Sequence, residues 1–266
     1  YKPAAEALNS EYLSSENKLL ISSKLQKWLD DELNETLYPL NKKLNEDINS
    51  EIRAIAFNCL ENFGNYPIEN FKDNLKTISQ VSKLQLSKLG IRIGAKYFFT
   101  PNLLKKKPLE LCAILWKTFY QNAIDDYLPL PSNGRVSFTS KIKMPDNYWQ
   151  AIGYININNF VFRIDIFEKI FFLARQKIKN GPFLESSDLM NPIGCNSDQL
   201  KDIMAFCGYE YLIISDEKKL YFLRKNKKQT KKIVKKYSNK KTNKKNNKDN
   251  IKRDPNSPFA VLEKLL

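Results

Sequence analysis

The positive charge of this chain is not spread along it. The stretch Arg224–Arg253 holds 15 of the 44 Lys/Arg and only one, Asp249, of the 29 Asp/Glu. The remaining 29 basic and 28 acidic residues nearly cancel. A segment this rich in Lys and Asn, with Ile233, Val234, Tyr237 and Ile251 as its few apolar residues, cannot bury enough surface to offset its conformational entropy. Residues 224–253 are therefore expected to be a disordered basic tail, and folding is left to the nearly neutral residues before it. At 266 residues and 42% hydrophobic, the chain can build one large core or two small ones.

The first half reads as helices. Ile21, Leu25, Trp28, Leu29, Leu33, Leu37 and Leu40 recur at helical spacing and predict a stripe facing a core. Ile48, Ile52, Ile55, Ala56, Cys59, Leu60 and Phe63 predict a second helix that stops at Gly64, and a third is expected from about Phe71 through Leu75, Ile78 and Leu89 to Gly90. Ile91–Phe99 reads as extended. Pro108 can open a helix through Leu111, Ile114, Leu115 and Phe119. Pro129, Pro131, Asn133-Gly134 and Pro145 mark a break, with an alternating Val136/Phe138 run inside it.

The second half has a different rhythm. Tyr154–Ile157, Asn158-Asn159 and Phe160–Ile164 read as strand, turn, strand. Asp165 with Glu168 three residues on matches a capping box ahead of Ile166, Phe167, Ile170, Phe171, Ala174 and Ile178. A short turn at Ser187–Met190, a helix through Leu200, Ile203 and Phe206 capped by Asn196 or Ser197, and strands Tyr209–Ile214 and Leu220–Leu223 complete the order. That order is the one a winged-helix domain uses. The expected fold is α+β and mainly helical. It comprises a linker (1–18), a helical bundle (19–127), a linker (128–147), a winged-helix-like subdomain (148–223), the tail (224–253) and a short amphipathic motif (254–266) begun by Ser257-Pro258.

Several chemistries find no residues here. The eight glycines include no GxxxxGK[ST] and no GxGxxG, so the chain lacks a phosphate-binding loop. With no histidine there is no Ser-His-Asp or Cys-His nucleophile, and Cys59, Cys112, Cys195 and Cys207 lack metal-ligand spacing. Asp30-Asp31-Glu32, Asp125-Asp126 and Asp198/Asp202 read as solvated faces. No catalytic residue and no metal or cofactor site is expected. Tyr1–Ser10 lacks the basic-then-apolar order of a secretory signal, and the apolar run Phe160–Ala174 is interrupted by Arg163, Asp165, Glu168 and Lys169, so no membrane partner is expected. The absence of an initial Met suggests a fragment.

Binding chemistry is present. Lysine doublets at Lys227-Lys228, Lys231-Lys232, Lys235-Lys236, Lys240-Lys241 and Lys244-Lys245 would gather on one face if the tail became helical against a polyanion. A second patch, Arg92, Lys96, Lys105, Lys106 and Lys107, is interleaved with Tyr97, Phe98 and Phe99, which could stack on unpaired bases or belong to the core. The helix Ser197–Phe206 is poor for reading DNA, because Asp198 and Asp202 flank Lys201. Phe259, Leu262 and Leu265 form the apolar side of the terminal motif and suit a protein partner.

Six stretches together resemble one family: Leu25–Leu40, Ile52–Gly64, Leu86–Pro108, Tyr148–Ile170, Ile193–Leu212 and Asp254–Leu265. The most specific pieces are Gly90–Gly94 (Gly-x-Arg-x-Gly), Gly194-Cys195 and the closing Pro-Asn-Ser-Pro-Phe. The chain resembles the C-terminal region of superfamily-2 helicases of the alphaproteobacterial type, relatives of the mitochondrial degradosome RNA helicase. Where family members often carry histidine after the Gly-Arg-Gly segment, this chain has Lys96-Tyr97. The resemblance implies upstream motor domains that use ATP and Mg, a region that packs on the motor and helps hold RNA or single-stranded nucleic acid, and a bacterial cytoplasmic location; the alternative expectation is a protein-docking module for an RNA-decay enzyme or the ribosome. The resemblance carries no catalytic residue onto this chain.

Overall fold

The computed structural model describes residues 3–8, 12–37, 48–71, 79–120, 128–132, 134–214 and 219–223. The fold is mixed α+β. The chain divides into two units, one of residues 1–176 and 187–202 and one of residues 177–186 and 203–266. The tail lysines and the terminal motif lie outside the described residues.

In the first unit, α1 spans Ser15–Leu37 and α2 spans Ser50–Glu61. Asn49 caps α2 by accepting from the Glu51 N–H. The helix buries Ile52, Ile55, Ala56 and Cys59, the face its sequence predicts. Phe63 and Gly64 then both take positive φ, and the chain reverses into β1 (Asn65–Pro67). The helix expected from Phe71 to Gly90 is described in two parts: Ile68–Phe71 is a 3-10 turn and α3 covers Gln80–Lys88. α3 ends in a Schellman arrangement, with the Ile91 N–H donating to Leu86 O and the Gly90 N–H to Ser87 O. Strands β2 (Arg92–Ile93) and β3 (Tyr97–Phe99) resolve the extended segment into a hairpin, and β1 joins its other side to give the order β1-β3-β2. The helical first half thus also contains a sheet. Ile52, Ile55, Leu86, Ile91, Phe98 and Leu103 form one buried cluster between these elements.

α4 covers Lys106–Phe119 and α5 covers Asp146–Ala151. The face α4 buries is not the one read from its larger side chains. Leu109, Cys112, Ala113 and Trp116 are inside, while Ile114 and Phe119 are 57% and 51% exposed. Both sets fit a 3.6-residue period, and the choice is made by partners: Trp116 packs edge-on to Tyr148 with ring centroids 5.0 Å apart, and Tyr148 lies against Trp149. β4 (Ser137–Thr139), β5 (Tyr154–Ile157) and β6 (Phe160–Arg163) form a sheet of order β4-β6-β5. Asn158 and Asn159, both at positive φ, make the two-residue turn that the Asn-Asn pair predicts. The Tyr148 hydroxyl donates to Pro129 O and the Tyr154 hydroxyl to Arg135 O, which ties residues 128–147 to this sheet and α5.

α6 (Ile164–Lys179) starts directly at the end of β6, so Asp165 lies inside it and does not cap it. The Asp165 carboxylate instead pairs with Arg163 through Nε at 2.6 Å and the second guanidinium nitrogen at 2.9 Å. The expected capping box is therefore absent there, because Glu168 is committed elsewhere. A reciprocal box forms further on: Asn196 accepts from the Gln199 N–H and Gln199 accepts from the Asn196 N–H, ahead of α8 (Ser197–Phe206). α7 is the short turn Ser187–Met190.

The largest departure is α1. None of its described residues is buried; Leu25 is 38% exposed and Trp28 62%. The apolar stripe predicts the helix but does not face a core. The extended residues 3–8 lie along α1, with Gln26 accepting from the Ala5 N–H and donating to Pro3 O.

In the second unit, β7 (Phe183–Leu184), β8 (Tyr209–Ile213) and β9 (Lys219–Leu223) form a sheet of order β7-β9-β8. Phe183 packs on both Tyr209 and Tyr221 with ring centroids 5.7 Å apart.

A buried amide pair joins β1 to α5. Asn65, 1% exposed, donates to Gln150 O, and Gln150 donates back to Asn65 O at 2.9 Å. Asn65→Ala is expected to cost about 2 kcal/mol, because it strands buried backbone acceptors. Urea denaturation of both single variants and the double variant would measure their coupling, and additive losses would show that the pair does not act as a unit.

Candidate nucleic-acid interface

The basic patch is built on two pieces of the first unit. Arg92 is exposed on the edge strand β2, in register with Phe99 of β3. Lys96 sits in the β2–β3 turn. Lys105, Lys106 and Lys107, all exposed, open α4 with no acidic residue in its first turn and no side-chain cap. At this helix start the Lys105 N–H donates to Asn102 O and Pro108 has no N–H. The positive charge there comes chiefly from the lysine side chains, with the partial charge of the remaining first-turn N–H groups beside them.

The turn between β2 and β3 is held by Glu168 of α6. Its carboxylate, 7% exposed, accepts from the backbone N–H groups of Lys96 (2.9 Å), Tyr97 (2.8 Å) and Ala95. Successive N–H groups turned to one side form an anion-binding concavity. Here the protein's own carboxylate fills it. Burial raises the Glu168 pKa, against the three N–H bonds and the Lys96 charge, which lower it. Gly94 makes the approach feasible: a Cβ on residue 94 would overlap the Glu168 carboxyl group. The backbone N–H groups of this turn are thus committed to Glu168.

The aromatic residues of the patch are structural. Phe98 and Phe99 are 0% and 6% exposed. Tyr97 is half-buried and packs edge-on to Phe167. Phe98 and Phe99 thus belong to the core, while Tyr97 is only partly covered.

Lys107 is paired. Its Nζ lies 2.8 Å from Glu32 Oε1 of α1, and that hydrogen bond, with the Glu32 and Glu35 charges, holds its pKa above the usual lysine range. The pair brings α1 against the start of α4. The residue that sequence reading placed inside the core and that structure places at this surface is Trp28, one helical turn before Glu32.

The one lysine in the first turns of α8, Lys201, is flanked by Asp198 and Asp202. Asp202 accepts from the Asn158 side chain at 2.8 Å and lies 3.7 Å from Lys201. Among the described residues no group of three His, Cys, Asp or Glu is placed to hold a metal ion, and no helix is long and apolar enough to cross a membrane. Burial pushes the Cys59 and Cys112 thiols up to about 12 and Cys195 up to about 11. Tail lysines Lys227 to Lys245 and Phe259, Leu262 and Leu265 lie outside the described residues.

No protein-family model, curated protein or solved structure matches the chain.

Gly94→Ala is expected to lower stability by about 2 kcal/mol through overpacking against Glu168. Glu168→Ala should lower it by about 3 kcal/mol, by leaving three N–H groups without their acceptor. Combined, they should cost less than their sum, since removing the carboxyl group relieves the clash; additive losses in thermal or urea unfolding would disprove the contact. Thiol labelling offers a separate check. Thiolates are the reactive form, so at pH 8 Cys59 and Cys112 should react with a disulfide reagent far more slowly in the folded chain than in urea, and equal rates would contradict their burial.

Proposed function

We propose that this chain is an accessory nucleic-acid-binding region of an ATP-dependent helicase. The observation that carries the reading is charge segregation: 15 Lys/Arg and one acid in Arg224–Arg253, next to a nearly neutral body. Exposed Arg92, Lys105 and Lys106 extend positive charge onto the folded surface. Lysines that neutralise phosphates release counterions, so binding is strongly salt-dependent. RNA or another single strand is the ligand, and upstream motor domains are the covalent partner. ATP and Mg belong to those domains, since the residues present do not fit them: the chain lacks a glycine-rich phosphate loop. A bacterial cytoplasmic location goes with this reading.

The finer fold proposed for 148–223 is winged-helix-like. It is supported by the chain order α6, β7, α7, α8, β8, β9 and by the pairing order β7-β9-β8, in which the first strand joins the outer side of the hairpin. With Asp198 and Asp202 on α8, this module contributes a scaffold and not a base-reading helix.

A second reading, docking to an RNA-decay or ribosomal protein, draws on exposed Leu184, Tyr211 and Ile213 of the second unit's sheet (46%, 40% and 60%). It adds a partner for Phe259, Leu262 and Leu265.

Binding of a fluorescent single-stranded RNA at low and high salt tests the proposal. The comparison is with the full chain in which the ten doublet lysines Lys227 to Lys245 are changed to glutamine. The expected result is tight binding at low salt, with a steep salt dependence that flattens in the substituted chain. No binding by the natural chain at low salt would overturn the reading.

A further inference from the structure

We infer that the Gly94–Tyr97 turn is a carboxylate-binding site in its own right, with Glu168 as its resident ligand, and that a free monocarboxylate takes the place of that side chain when it is shortened.

The turn is shaped by bonds that do not involve Glu168. The Gly94 N–H donates to Tyr97 O at 2.8 Å, and Lys96 O accepts from the Ile68 N–H at 2.8 Å. β2 pairs with one side of β3 and β1 with the other. What this backbone leaves over is three N–H groups, those of Ala95, Lys96 and Tyr97, and their acceptor is the Glu168 carboxylate. Buried backbone donors need an acceptor. Here it comes from α6, about seventy positions along the chain. The donors are thus set by the hairpin, and the acceptor arrives as a separate piece.

How the donors are shared defines the ligand. Oε1 accepts from Lys96 at 2.9 Å and from Tyr97 at 2.8 Å, while Oε2 accepts from Ala95. A planar group with two oxygens meets that division, and a spherical ion such as chloride does not. Three N–H groups and the Lys96 charge favour one negative charge against the cost of burial. That balance suits a monoanion better than a doubly charged phosphate. Gly94 sets the space, because a Cβ on residue 94 would overlap Cγ, Cδ and Oε2 of Glu168. Glu168→Ala removes the Cγ methylene and the carboxylate, and those atoms together make acetate. The natural side chain keeps the site because it is tethered there, at an effective concentration that a dilute solute does not reach.

The test is a titration of acetate into the full chain carrying Glu168→Ala, followed by melting temperature and by the NMR shifts of the backbone amides. The expected dissociation constant is on the order of 10 mM. Above it the melting temperature rises with the logarithm of acetate concentration, and the amides of Ala95, Lys96 and Tyr97 shift saturably. Chloride at the same ionic strength does neither. The natural chain, with the site filled, and Glu168→Gln, whose amide still fills the space, show no saturable shift at these amides. Adding Gly94→Ala to Glu168→Ala abolishes the response, since its Cβ takes the place of the carboxylate. If Glu168→Ala is unfolded in plain buffer, acetate restores its folded circular dichroism and chloride does not. The inference is overturned if Glu168→Ala responds no more to acetate than to chloride, or no more than the natural chain does. Shifts that spare the three amides, or that survive Gly94→Ala, overturn it as well.

Discussion

A single carboxylate, that of Glu168, organises the centre of the first unit. It reaches from α6 into the β2–β3 turn and accepts three consecutive backbone N–H groups. Residues about seventy positions apart are held by charge-assisted hydrogen bonds inside a buried site. Burial opposes the charge and the N–H groups favour it, and the turn is shaped so that the second effect has three donors to act through. Gly94 is required by this contact and not by its backbone angles, because what it lacks is the Cβ that would meet the carboxyl group. Around this fixed point β2 and β3 are held against α6, and Lys96 is carried on the same turn.

The consequences for binding follow from where the charges are committed. The turn's N–H groups serve Glu168 and Lys107 serves Glu32, so within this patch the other exposed cations are Arg92, Lys105 and Lys106. Phe98 fills the core formed with α2 and α3, and Phe99 is buried as well. The patch that looked in sequence like interleaved cations and aromatics is thus two layers, with cations outside and rings inside. A strand alternates its side chains between two faces, so a run such as Tyr97-Phe98-Phe99 cannot present all its rings to one ligand.

Local signals were legible. The Asn158-Asn159 turn, the α7 turn and the helix stops at Gly90 and Gly208 are all written in short-range chemistry, since caps and left-handed turn positions depend on a few neighbouring residues. Illegible were the short elements β1, β7 and α5, which have two to six residues and no period to detect. Also illegible was the choice between two motifs of equal pattern. Asp165/Glu168 and Asn196/Gln199 both have capping-box spacing, and only the second pair caps, because the first glutamate has a stronger set of donors within reach.

The sequence by itself determined that the chain is mixed α+β, that its charge is concentrated in Arg224–Arg253, and that it lacks a phosphate loop and any histidine-based nucleophile. Those follow from composition, spacing and local turn chemistry, which act over a few residues. Only the tertiary structure decided which helix faces are covered. Periodicity reveals that a face is apolar, but burial depends on what packs against it. The same helical spacing that puts Ile52, Ile55 and Cys59 in a core leaves Trp28 in solvent, and the smaller Leu109–Cys112–Ala113–Trp116 face of α4 wins over its larger rival because Tyr148 and Trp149 arrive to meet it.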